Sequence, residues 1–163
     1  MPQSANDLTS AIEATMGDSW LPRIYRERIL KLPTRAYECP ALPKCAAPQI
    51  HHTLLGIELK VGRRRMLCPD LATARYLSVF ARIRCKAVAI PYDITRISHV
   101  ADELESSWYR MLLLADESTH QRPETFRARV RSLLIERLRE EITKAGPGAR
   151  SPEFARSTKP RQR

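Results

Sequence analysis

The chain has 163 residues, 43% hydrophobic and only 6% aromatic, with a formal net charge of +10 and a pI near 10.0. That is enough apolar material for one packed domain with an aliphatic core, so a wholly disordered chain is excluded. No apolar run approaches the roughly 20 residues a spanning helix needs, and the basic balance points to a polyanionic partner, nucleic acid before any membrane.

The opening residues have neither the basic flank nor the apolar block of a secretory signal. Cys39, Cys45, Cys68 and Cys85 are too few and too scattered for a disulfide framework. A reducing, cytoplasmic setting is expected. In chain order, residues 1–32 read as a helical arm. A short helix over 7–16 is capped by Asn6 or Asp7, striped by Leu8, Ile12 and Met16, and ended by Gly17. A second, from Trp20 to Leu32, carries Pro22 in its first turn and Leu21, Ile24, Tyr25, Ile29 and Leu32 on one face. Arg23, Arg26, Arg28 and Lys31 then form a solvated basic face. Residues 33–49, with Pro33, Pro40, Pro43 and Pro48, exclude a helix or a central strand and read as an extended connector lying along the domain.

The core is expected over 50–145. Thr53, Leu55, Ile57, Leu59 and Val61 alternate onto one face of a strand, leaving Glu58 and Lys60 together on the other. Gly62-Arg63-Arg64 reads as a turn and Arg65 to Cys68 as a return strand. Asp70 caps the next helix, whose stripe is Tyr76, Leu77, Phe80 and Ile83. The short run Lys86 to Ile90 suits a buried strand with a parallel partner reached by a helical crossover. Ser98 is read as the cap of a helix near 98–116, striped by Val100, Leu104, Trp108, Met111, Leu112 and Ala115. Pro123 opens a last helix to Ala145, with Phe126, Val130, Leu133, Leu134, Leu138 and Ile142 inside. Arg127 and Arg131 lie one turn apart on its outer face, a repulsion that a bound anion would relieve. Residues 146–163 read as a disordered basic tail that includes Lys159, Arg161 and Arg163. The expected fold is α/β or α+β, a small mixed sheet of about three strands packed by three main helices. The long stripes of the last two helices offer surface for a homodimer.

The sequence of strand, hairpin, helix and strand, with Glu58-Leu59-Lys60 inside it, resembles half of the PD-(D/E)xK nuclease core of Holliday junction resolvases and restriction enzymes. The resemblance implies that Glu58 would help hold a Mg²⁺ ion and that Lys60 would orient the attacking water and phosphate. The family's upstream metal-binding aspartate is missing, because no Asp lies between Asp18 and Asp70. Cys39, Cys45, His51 and His52 lack the close pairing of zinc modules.

Three expectations follow. The first is a non-catalytic nucleic-acid binder without a cofactor, gripping phosphates through Arg63, Arg64 and Arg65, the pair Arg127 and Arg131, and the tail. The second is a metal-dependent nuclease using Glu58 and Lys60. The third is an assembly factor that binds an acidic protein partner.

Overall fold

The computed structural model describes residues 3–39 and 47–148. Cys45 and the tail from residue 149 onward, which was expected to be disordered, lie outside them. The mixed α/β class is as expected. Helix α1 (Ala5–Met16) begins two residues earlier than the pattern suggested. Its cap is Ser4 rather than Asn6 or Asp7, because serine and Asp7 satisfy each other's backbone N–H in a capping box, both at 3.2 Å. The second helix is a single α-turn, α2 (Leu21–Ile24), that widens into a π-helical segment over Tyr25–Ile29.

The strands divide into two antiparallel sheets. Strand β1 (Thr34–Glu38) lies in the connector, where prolines flank it but do not enter it, and pairs with β5 (Ala87–Pro91). The parallel partner expected for β5 is therefore replaced by this antiparallel edge strand. The other sheet is a meander of β2 (Gln49–Thr53), β3 (Gly56–Val61) and β4 (Arg64–Cys68). The single strand expected from Thr53 onward is thus a hairpin that reverses at Leu54-Leu55. The positive φ that the reversal needs falls on Gly56, at 125°.

Helix α3 (Leu71–Ile83) is capped by Asp70, which accepts from the Thr73 N–H at 2.7 Å. Helix α4 (Ile94–Thr119) starts at Asp93 rather than Ser98, since the Asp93 carboxylate takes the Thr95 N–H at 3.0 Å. Helix α5 (Glu124–Ala145) follows Pro123. One hydrophobic core runs through all of these elements. Leu59, Val61 and Cys68 are buried on the inner side of the meander, against α3. Within one chain, Val100, Leu104, Trp108, Met111 and Ala115 of α4 and Val130, Leu134, Leu138 and Ile142 of α5 are buried, while Leu112, Phe126 and Leu133 are half-buried. Leu8, Ile12 and Met16 of α1 belong to the same core, and α1 packs on both α4 and α5.

The centre of this core carries polar groups that must be matched. On the edge of β5 that β1 leaves uncovered, the Ala89 N–H donates to the Tyr25 hydroxyl at 2.9 Å. The Ala89 carbonyl accepts from the Tyr76 hydroxyl. Tyr25 donates in turn to the Gly146 carbonyl at 2.6 Å, so one side chain joins the arm, β5 and the end of α5. Gly148 closes this junction at φ 76°, where a Cβ would stand 2.5 Å from Thr34 Oγ1.

Burial holds these groups neutral. It pushes the Tyr25 phenol up to about 12, the Cys85 thiol up to about 12 and the Cys39 thiol up to about 11. A group whose folded pKa is raised contributes stability that is complete below its unfolded value and is lost as pH climbs through its folded value. Urea midpoints should therefore fall as pH rises from about 9 toward about 12. At neutral pH, Tyr25→Phe strands the Ala89 N–H and should cost about 1–3 kcal/mol, read as a lower urea midpoint at unchanged slope.

Candidate nucleic-acid interface

Because Leu59 and Val61 face α3, the alternate residues of β3 face outward, and the strand registers fix their neighbours. Gln49, Lys60 and Arg65 stand side by side in one row across the sheet. His51, Glu58 and Leu67 form the next row, and Thr53 and Gly56 the last. Arg63, in the β3–β4 turn, is exposed at the basic end, whereas Arg64, cross-strand from Val61, is exposed on the opposite face of the sheet. The sequence expectation that Glu58 and Lys60 share a face with the arginine turn at its end is what the geometry contains.

Charge on this face is unbalanced. Lys60 and Arg65 are direct cross-strand partners, an arrangement of like charges that destabilises a sheet. Their one acidic neighbour is Glu58, whose carboxylate lies 3.5 Å from Arg65 Nε and is largely covered. Among the described residues, Lys60, Arg63 and Arg64 have no ion pair.

Several other arginines are held by internal partners, whereas Arg35, Arg82, Arg84, Arg96, Arg110 and Arg129 have no ion pair among the described residues. Asp116 of α4 lies between Arg127 and Arg131, 2.6 Å from Arg131 Nη2 and 3.7 Å from Arg127 Nη2. The anion that this pair calls for is supplied by the protein itself, and it raises the Arg131 pKa through the hydrogen bond. In the arm, Arg23 is paired with Asp18 and Glu27, and Arg28 with Glu103. The Arg28–Glu103 pair spans a cleft of about 400 Å³ between α2 and α4, whose lining also includes Asp18, Asp102 and Arg110. That cleft mixes both signs of charge and does not favour a polyanion.

Among the described residues, no three His, Cys, Asp or Glu side chains are grouped to hold a metal ion. The charged partner of Glu58 is Arg65, a cation and not a second carboxylate. His51 and His52 follow one another on a strand and so point to opposite faces, and burial keeps the Cys39 thiol protonated. Lys159, Arg161 and Arg163 lie outside the described residues.

Sequence reading missed the β2–β3 turn and the exposed side chains that flank it. The signal was present as Thr53-Leu54-Leu55-Gly56, in which two adjacent leucines break the alternation and glycine follows. Comparisons with models of known protein families, with curated proteins and with solved structures found no match to this chain.

Asp116→Asn removes the carboxylate that Arg127 and Arg131 share, leaving Arg127 with Glu124 alone, and should lower stability by roughly 0.5–1 kcal/mol at low salt. Chemical denaturation at low and high ionic strength checks this, since screening should shrink the loss.

Proposed function

We propose that this protein binds nucleic acid without cleaving it, through the outer face of the β2–β4 sheet. The observation that carries the reading is the face-to-face pair Lys60 and Arg65, with Arg63 in the adjoining turn and Glu58 as the single counter-charge. A phosphate between Lys60 and Arg65 relieves their repulsion, and the arginine forks suit bidentate phosphate contact. Backbone contacts of this kind give affinity without sequence information. In sequence, Lys159, Arg161 and Arg163 add cations to the same count. The free thiols at Cys39, Cys68 and Cys85 suit a reducing, cytoplasmic setting.

The face is mostly polar and free of Phe, Tyr and Trp, so it is not a stacking platform for unpaired bases. That favours a duplex, whose phosphates are regularly spaced. In the alternative nuclease reading, Glu58 would instead hold a divalent ion beside Lys60 and the phosphate.

Fluorescence anisotropy with a labelled duplex across a salt series separates these readings. The proposal expects affinity to fall steeply with salt. Replacing Arg63, Arg64 and Arg65 together by alanine should make the log–log slope shallower by about 0.9 for each phosphate that is no longer neutralised. Glu58→Gln should tighten binding by about two- to fivefold, because it removes the one negative charge on the face. Cleavage in Mg²⁺ that vanishes in Glu58→Gln would support the nuclease instead. An absence of duplex binding even at low salt would contradict the proposal and leave the acidic-protein partner.

A further inference from the structure

Two leucines stand where a tight turn ordinarily carries Gly, Asn or Asp. Leu54 and Leu55 are 107% and 86% exposed at the tip of the β2–β3 hairpin, and Leu67, beside Gly56 on the outer face, is 66% exposed. Fully exposed leucines make no contact that would explain them as packing. The tip is also held in place. Thr53 Oγ1 donates to the Gly56 carbonyl at 2.9 Å and accepts the Leu55 N–H at 3.2 Å. The residues bracketing the leucines, Thr53 and Gly56, are small, so the apolar end is narrow.

Building on the nucleic-acid reading above, we propose that the Leu54-Leu55 tip is a wedge that enters between base pairs of a duplex whose phosphates are gripped by Lys60, Arg63 and Arg65. The two ends of this surface are joined by the six residues of β3, about 20 Å at 3.3 Å per residue. That corresponds to about six base-pair steps of 3.4 Å. The cations therefore hold backbone on the flank of the wedged step, where a bend brings phosphates toward the sheet. Apolar wedges unstack a step and bend the duplex, and the added backbone contacts offset the cost of unstacking.

The charge and shape of the hairpin favour this occupant over a lipid surface. No aromatic side chain stands on the outer face of the sheet, where interfacial anchoring would use Tyr or Trp. The nearest lysine or arginine along β3 is Lys60, four residues beyond Gly56, too distant to meet headgroups while the leucines insert upright.

The test uses the full chain and a duplex carrying a donor and an acceptor at its ends, with 2-aminopurine at an internal step. Anisotropy on the same sample establishes saturation. Wild-type protein should raise the energy transfer and the 2-aminopurine fluorescence by about twofold or more as the step unstacks and the duplex bends. Leu54→Asn combined with Leu55→Gly keeps residues that suit a turn, and circular dichroism checks the fold. That variant, at saturation, should lose both signals. If wild-type protein binds the duplex but leaves both signals flat, or if the variant bends it equally, the wedge is refuted while phosphate gripping stands. Absence of binding refutes the reading beneath it. Sedimentation with phosphatidylserine vesicles that depends on Leu54 and Leu55, with no duplex bending, would assign the tip to a membrane and overturn the proposal.

Discussion

The Tyr25 hydroxyl holds three parts of the chain to one point. It accepts from Ala89 in β5 and donates to Gly146 at the end of α5, while its own residue belongs to the π-helical turn of the arm. A buried edge of β5 would otherwise leave an N–H without a partner, and such groups are costly enough to decide a fold. Tyr76 satisfies the companion carbonyl from α3, and Phe80 packs against both rings, with centroids 5.7 and 5.0 Å away. The widened helical turn places Tyr25 at this junction, so an irregularity in the arm serves the core.

Helix α3 transmits that constraint to the surface. One side of α3 supplies Tyr76 and Phe80 to the tyrosine junction, and the helix also packs on the meander. With Leu59, Val61 and Cys68 committed to this inner side, the register turns Glu58, Lys60 and Arg65 outward. A slip of one residue would bury two charged side chains and expose two apolar ones, so the hydrophobic pattern protects the basic face. The opposed cations are therefore maintained by the core despite their repulsion. Elsewhere the chain neutralises its arginines: Asp116 serves Arg127 and Arg131, while Asp102 and Glu105 hold Arg75 at 2.5 and 2.7 Å. What distinguishes the meander is that Lys60 and Arg65 are opposed across a strand pair.

Much of this was legible in the sequence, and the omissions have physical causes. Asp70 before a helical stripe and the shared face of Glu58 and Lys60 depend on local periodicity, which the structure keeps. The antiparallel pairing of β5 depends on β1, a strand hidden between prolines whose only use is tertiary. Asp93 won the cap of α4 over Ser98 because the helix extends one turn further back than its buried stripe. The Leu54-Leu55 turn was masked because the apolar alternation of Ile57, Leu59 and Val61 extends backward through Leu55 by coincidence. The partner of Arg127 and Arg131 comes from a different helix, and spacing within α5 gives no access to it.

The most direct measurement is an amide-resolved nuclear magnetic resonance titration of the protein with a short duplex at low salt. The account predicts shifts concentrated in β2, β3, β4 and their two turns, with the amides around Arg127, Arg131 and the Arg28–Glu103 cleft left in place. Shifts centred on α4 and α5, with the meander unmoved, would contradict it.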